Sequence, residues 1–132
     1  MGPGGAEVAQ MQKKFEGELV ALKKIQKDLT KTTTLRSQLD GQLNENKVVK
    51  EELDLLGENA VVYKLIGPAL IRQDLEEARQ NVGKRIDYIR QEIKRHENGM
   101  EDLEKKADEK RDCISKLQQQ MQQIMIEAQG SQ

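Results

Sequence analysis

The chain has 132 residues, of which 34% are charged and 36% are hydrophobic, whereas only 2% are aromatic. A compact globular core normally draws much of its buried area from aromatic rings, so this composition argues against one and favours long helices and coiled coils. The formal net charge of −1 argues against the basic surface that proteins use to bind nucleic acid or an anionic membrane.

A first long helix is predicted over about residues 7–56. Apolar residues recur there at alternating steps of three and four with no interrupting proline, which is the spacing of a coiled-coil seam. Gly57 stands where a glycine often caps the end of a helix, and the glycine-rich residues 1–5 are expected to form a flexible tail outside the fold. The predicted seam of this helix consists of Val8, Met11, Phe15, Glu18, Leu22, Ile25, Leu29, Thr32, Arg36, Leu39, Leu43 and Asn46.

A β-hairpin is predicted over about residues 60–72. Two apolar runs rich in β-branched residues flank Gly67-Pro68, which indicates a strand, a turn and a second strand. Both faces of this hairpin are apolar, and an isolated two-stranded hairpin is only marginally stable and has open edges. We therefore expect hairpins from several chains to join in a shared sheet or barrel. The predicted oligomerisation residues are Val61, Val62, Tyr63, Leu65, Ile66, Gly67, Pro68, Leu70 and Ile71.

A second long helix is predicted over about residues 74–128. Asp74, followed three residues later by Glu77, resembles the capping box that begins many helices. The spacing of three and four residues continues over five heptads, which predicts a coiled coil. The predicted seam of this helix consists of Ile86, Ile89, Ile93, His96, Met100, Leu103, Ala107, Lys110, Ile114, Leu117, Met121 and Ile124.

The two helices would be about 75 and 80 Å long at 1.5 Å per residue, and the connection between them is short. Such helices must pair, and the short connection favours antiparallel pairing within the chain. The predicted fold is therefore mainly α: a long antiparallel coiled-coil helical hairpin with a central β-hairpin that joins an oligomeric β-barrel. We expect the whole chain, residues 1–132, to form a single domain of this kind.

Polar residues on the seams are expected to specify register, because burying them costs stability. Two antiparallel registers fit the pattern. One places Leu22 opposite Lys110 and Arg36 opposite His96, and the other places Glu18 opposite Lys110. In either register Glu18 and Lys110 lie in the same or adjacent layers, so we interpret them as a pair that locks the register.

No residues support catalysis, so we expect a protein that is not an enzyme and has no metal or cofactor. His96 and Cys113 are the only histidine and the only cysteine, and they would lie about 25 Å apart along one helix. Gly67-Pro68 lacks the further glycines and the Lys-Ser/Thr of a phosphate-binding loop. A single cysteine, with no signal segment and no apolar run long enough for a membrane, favours a soluble intracellular protein.

Several motifs carry a resemblance to a known family. The run Asn46–Leu53, followed by Val61–Ile71, resembles the pattern of β-type prefoldin subunits. The motifs Glu76–Arg79, Gly83–Arg85 and Glu92–Arg95 resemble the subunit 6 branch of that family. A Lys-x-x-Gly-Pro turn between two long coiled-coil helices is a fairly specific signal, and the resemblance covers nearly the whole chain.

The resemblance implies one of four β-type subunits that surround two α-type subunits in a hexamer. Hairpins of the family form a double β-barrel, and the free ends of its coiled coils capture unfolded polypeptides, notably actin and tubulin, without ATP. The implied partners are α-type and β-type prefoldin subunits, these clients and the cytosolic chaperonin that receives them, in the cytoplasm. The alternative interpretation is a structural coiled-coil adaptor or tether in a multisubunit complex, against which the β-hairpin counts.

Antiparallel pairing would bring the two ends of the chain together, where adaptable methionines suit a surface that accepts many partners. Met125 and Ile126 lie off the seam and should be exposed. Phe15 and Leu117, by contrast, are more readily explained as residues that close the coiled coil. The predicted substrate-binding residues are Val8, Met11, Phe15, Leu117, Met121, Ile124, Met125 and Ile126.

Overall fold

The computed structural model describes residues 4–130. Helix α1 spans Gly4–Leu55, strands β1 and β2 span Val62–Ile66 and Ala69–Gln73, and helix α2 spans Leu75–Gly130. Two long helices on either side of an antiparallel two-stranded hairpin confirm the predicted fold class. In the part of the chain that the structure describes, neither helix has the length and hydropathy needed to cross a membrane.

The predicted flexible tail is wrong for Gly4 and Gly5, which belong to helix α1; residues 1–3 lie outside the described residues. The chain divides into two compact units. The hairpin unit consists of residues 33–98, and the terminal unit consists of residues 4–32 together with 99–130, as far as the structure describes them. Their organisation into the single predicted domain stays a prediction.

Strands β1 and β2 of the hairpin unit pair in register from Val62 opposite Gln73 to Ile66 opposite Ala69. The two residues between the strands are Gly67 and Pro68. Gly67 has a φ of 57°, which glycine adopts without steric cost, and proline requires a negative φ. A glycine with positive φ at the first central position is the arrangement of a type II′ hairpin turn, whose twist matches that of the strands.

The core of the hairpin unit begins where the hairpin meets the helices. Leu53, Leu75 and Ala78 are buried together, and Val62 and Val82 pack against them. Burial continues along the predicted seam of α2, whose buried residues in this unit are Ile86, Ile89 and Ile93. Helical periodicity therefore sets the buried stripe, and a single strand residue, Val62, extends it onto the hairpin.

Helix α2 begins as predicted. The side-chain carboxylate of Asp74 accepts a hydrogen bond of 3.1 Å from the backbone N–H of Glu77, and the helix starts at Leu75. This contact satisfies one of the N–H groups that the first turn of a helix leaves without a partner. Glu76 and Glu77 in the first turn also complement the positive end of the helix dipole.

The end of helix α1 differs from the prediction. Gly57 follows the helix, but among residues 4–130 only Gly67 has a positive φ, so the predicted glycine cap is wrong. Arg79 of α2 supplies the cap instead: its guanidinium donates to the carbonyl oxygen of Leu53 at 3.0 and 3.2 Å and to that of Leu56 at 3.1 Å. A cation that binds the last carbonyls of a helix satisfies these acceptors and opposes the negative end of the dipole.

Candidate functional site

The exposed faces of the β-hairpin form the first candidate site. Side chains of a strand alternate between its faces, and apolar residues occupy both faces here. Leu65 and Leu70 are paired across the strands and are 68% and 67% exposed. The other exposed large apolar residues of the two strands are Tyr63, Ile66 and Ile71, and Val61 immediately before β1 is also exposed.

Val62 differs from the other predicted oligomerisation residues. It is half-buried and packs against the cluster of Leu53, Leu75 and Ala78 in its own chain. Val62 therefore stabilises the junction between the hairpin and the helices of its own chain. The other large apolar residues of the hairpin are exposed, and Gly67 and Pro68 form the two-residue turn between the paired strands.

Exposed apolar residues also occur at the end of helix α1, next to the hairpin. Val48, Val49, Leu55 and Leu56 are exposed, and none was among the predicted oligomerisation residues. Val49 lines a depression of about 210 Å³ together with hairpin residues that include Tyr63. The available sequence signal was that all four residues are apolar but lie off the predicted seam. Apolar patches that continue from one element to the next mark protein-binding surfaces.

A groove in the terminal unit forms the second candidate site. We define the terminal groove as the depression of about 660 Å³ whose apolar lining comes from Val8 and Phe15 of α1 and from Met121 and Met125 of α2. Its polar lining consists of Gln12, Ser115, Gln118, Gln119 and Gln122. The polar lining was absent from the predicted site, although the run of glutamines at 118–120 and 122–123 was the signal that could have indicated it.

The eight predicted substrate-binding residues occupy three kinds of position. Val8, Phe15, Met121 and Met125 line the terminal groove. Leu117 is only 6% exposed, as expected for a residue that closes the coiled coil. The other three also lie outside the groove lining: Met11 and Ile124 are half-buried, and Ile126 is exposed. Met125 and Ile126 are 59% and 61% exposed, which confirms their predicted exposure off the seam.

An ion pair between Glu18 and Lys110 lies across the two helices of the terminal unit. Lys110 Nζ is 2.9 Å from Glu18 Oε2, which confirms that these residues are near neighbours. Glu18 Oε2 is buried and has no hydrogen bond of good geometry within residues 4–130, so the contact is chiefly ionic. The short polar contact with Glu18, followed by the attraction of its charge, raises the pKa of Lys110 above the ordinary value of 10.5, although partial desolvation opposes this.

Reversing either charge of the pair is expected to destabilise the chain, and reversing both is expected to recover part of the loss. The coupling between Glu18→Lys and Lys110→Glu should be modest, because the lysine is partly exposed and solvent screens such pairs. Since the folded pKa of Lys110 is raised, the contribution is complete below pH 10.5 and is lost as the pH rises through the folded value. Thermal unfolding of the four proteins, followed by circular dichroism on both sides of pH 10.5, measures both effects; strictly additive losses would contradict the pairing.

Residues with potential for catalysis are dispersed. Within residues 4–130, no group of three or more His, Cys, Asp or Glu side chains is arranged to hold a metal ion. Cys113 is a free, half-buried thiol in the terminal unit. His96 is half-buried on the seam of the hairpin unit, where the neighbouring Glu97 accepts hydrogen bonds of 2.6 and 3.1 Å from Arg36.

Comparison with known proteins identifies the family. The family model described as prefoldin subunit matches residues 9–128. Prefoldin subunit 6 of Homo sapiens is 46% identical over 121 residues, which are 92% of this chain and 94% of that protein. Prefoldin subunit 6 of Arabidopsis thaliana is 50% identical over 117 residues, which are 89% of this chain and 91% of that protein.

A solved structure shows the same fold. The prefoldin beta subunit from Thermococcus strain KS-1 aligns with a TM-score of 0.73 at 21% identity, over 78% of this chain and 90% of that chain. Two long helices, a central antiparallel hairpin with apolar residues exposed on both faces, and close relatives over most of the sequence agree on one assignment. The chain belongs to the prefoldin family.

Proposed function

We propose that the chain is a subunit of a hexameric, ATP-independent chaperone of the cytoplasm. It captures unfolded polypeptides of the actin and tubulin class and delivers them to the cytosolic chaperonin. Membership of the prefoldin family makes the chain a non-enzymatic chaperone component that assembles with other prefoldin subunits. The identity of the clients and their delivery are the further steps of the proposal.

The observation that carries the proposal is the terminal groove, whose apolar side chains are only partly covered: Val8, Phe15 and Met121 are half-buried and Met125 is exposed. Its methionines are unbranched and polarizable, so they adapt to side chains of different shape. Unfolded clients differ in sequence, and a surface that binds them must offer apolar area without fixed complementarity. A groove lined by Met121 and Met125 beside Phe15 meets this requirement.

Weak contacts at each groove suit capture and release without ATP. Complete burial of a large apolar side chain is worth roughly 1.5–3 kcal/mol, and contacts in an open groove bury only part of such a side chain. Several subunits that hold one client would strengthen binding through effective concentration rather than through new contacts. The client could then dissociate stepwise, as a receiving chaperonin would require.

The hairpin surface supports assembly rather than capture. Its apolar residues, Leu65 and Leu70 among them, lie on a paired two-stranded sheet of defined register. A fixed apolar surface with open strand edges favours a permanent partner that continues the sheet. In the proposed hexamer this partner is the hairpin of another α-type or β-type subunit.

Aggregation of a chemically denatured client tests the proposed activity. The full chain, reconstituted with its prefoldin partners, is expected to suppress light scattering when denatured actin is diluted into buffer without nucleotide. Addition of ATP should change nothing until the chaperonin is present, when labelled actin should move to the chaperonin on a native gel. Equal scattering with and without the complex would contradict the chaperone function and favour the coiled-coil adaptor.

A further inference from the structure

A cluster of exposed apolar residues marks the end of helix α1. We define the helix-end patch as Val48, Val49, Leu55 and Leu56, which are 52%, 43%, 86% and 40% exposed. Among residues 4–130, no large apolar side chain is more exposed than that of Leu55. Over residues 36–47 of the same helix, no large apolar side chain is exposed. The patch is therefore confined to the end of α1 that adjoins the hairpin.

The helix-end patch does not serve the core of its own chain. Leu53 supplies the core contact at this end of α1, and neither Val48 nor Leu55 belongs to its cluster or packs against it. Fraying of the helix end does not explain the exposure, because Arg79 binds the carbonyl oxygens of Leu53 and Leu56. The folded chain thus holds the patch in place and leaves it largely uncovered.

The helix-end patch is continuous with the exposed surface of the hairpin. Val49 and Tyr63 line the same depression of about 210 Å³, and Tyr63 is 57% exposed. Strand β1 begins at Val62, soon after α1 ends at Leu55, so a chain that pairs with the hairpin comes close to the patch. Helix α2 differs, because no large apolar side chain is exposed over its residues 75–87. The apolar surface therefore continues onto α1 alone.

The dimensions of a shared sheet indicate what covers the patch. Neighbouring strands lie about 4.8 Å apart, so a two-stranded hairpin adds about 10 Å to the width of a sheet. A helix with its side chains is about 10–12 Å wide, and one helix adjoins each strand of the hairpin. Two helices side by side need about twice the width that the hairpin supplies. Helices of neighbouring subunits are therefore crowded together where they leave a shared sheet.

We propose that the helix-end patch packs against the helix ends of a neighbouring prefoldin subunit and forms a second contact of the assembly beside the hairpins. Strand pairing uses main-chain hydrogen bonds that nearly any sequence can make, whereas specificity comes from side chains. Contact at the patch depends on side chains and so helps to select the correct neighbour. The inference rests on the proposed assembly through the hairpins and adds a contact to it.

Site-specific crosslinking tests the inference in the complex of the full chain with its prefoldin partners. The photoreactive amino acid benzoylphenylalanine replaces Leu55, and crosslinked peptides are identified by mass spectrometry after proteolysis. We expect crosslinks from position 55 to the helix ends of another prefoldin subunit. Leu35 is the matched control, since it is exposed on the same helix but lies about 30 Å before Leu55. The probe at position 35 should give no crosslink to another subunit.

A lysine variant measures the contribution of the patch to assembly. Val48→Lys/Leu55→Lys should leave the helicity of the isolated chain unchanged, because lysine is a good helix former and complements the negative end of the helix dipole. The subunit concentration needed for half-assembly should rise by about tenfold or more, since apolar burial is lost and a charge must be desolvated. Native mass spectrometry measures this concentration, and Leu35→Lys should assemble like the unaltered chain.

The outcomes separate this inference from the proposed function. A complex of full mass in which position 55 crosslinks to no other subunit, or only to its strands, would overturn the inference and leave assembly through the hairpins intact. Crosslinks only to a denatured client, or only between two copies of this chain, would also overturn it. An unchanged concentration for half-assembly of the lysine variant would do the same. Failure of the unaltered chain to form any complex with prefoldin subunits would instead contradict the proposed function. The crosslinking result stands even if the lysine variant fails to fold.

Discussion

Replacement of Leu65 and Leu70 by aspartate is expected to prevent entry of the chain into the prefoldin complex while most of its helicity remains. These two residues face each other across the strands and are 68% and 67% exposed in the isolated chain. Their burial in a shared sheet would contribute about 1.5–3 kcal/mol each. A carboxylate at either position would instead have to be desolvated without a partner. The loss of apolar burial and the cost of desolvating the carboxylate therefore both oppose assembly.

The choice of positions follows from the structure. Val62 is half-buried against Leu53 of its own chain, so a charge there would also disturb the hairpin unit and confuse the result. Leu65 and Leu70 pack against nothing in the core cluster. Assembly is measured as the mass of the complex by native mass spectrometry or light scattering, and helicity is measured by circular dichroism.

Val20→Asp provides the control for this prediction. Val20 is as exposed as Leu65, at 68%, but it lies on helix α1 in the terminal unit. The control variant should assemble normally, because loss of an exposed apolar side chain outside an interface costs little. Should the Leu65→Asp/Leu70→Asp chain still enter a complex of unchanged mass, the hairpin is not the assembly surface.

Deletion of residues 1–15 and 118–132 is expected to leave the complex assembled while greatly reducing protection of a denatured client. The deletion removes Val8 and Phe15 from one side of the terminal groove and Met121 and Met125 from the other. It leaves the whole hairpin unit, residues 33–98, unchanged. Because several weak sites act together, loss of one should raise the concentration needed for equal protection by about tenfold or more.

A variant that keeps the full length of the chain checks that the deletion acts through the groove. Met121→Ser/Met125→Ser removes apolar area from the lining and should impair protection in the same direction as the deletion. Val20→Ser, an exposed apolar position outside the lining, is its control and should protect the client normally. Undiminished suppression of light scattering by the deleted complex would place capture at another surface.

The sequence by itself determined the elements and their buried faces. Residues that recur every three and four positions must lie on one side of a helix, and the predicted seam positions are indeed buried or half-buried, from Val8 to Ile124. Asp74 caps helix α2, as its position three residues before Glu77 predicts. Gly67 lies in the predicted turn and has a positive φ. These features depend on neighbours a few positions away, so a pattern in the sequence is sufficient to reveal them.

The tertiary structure alone decided how side chains from distant positions meet. Arg79 caps helix α1 through Leu53, 26 positions earlier, and displaces the role predicted for the nearby Gly57. Val62 turns inward whereas Leu65, three residues later, stays exposed, and glutamines from both helices come together around one uncharged groove. Periodicity specifies which face of a helix is apolar, but which groups come into contact depends on the register between helices and on the reach of each side chain. That information resides in three-dimensional packing rather than in local spacing.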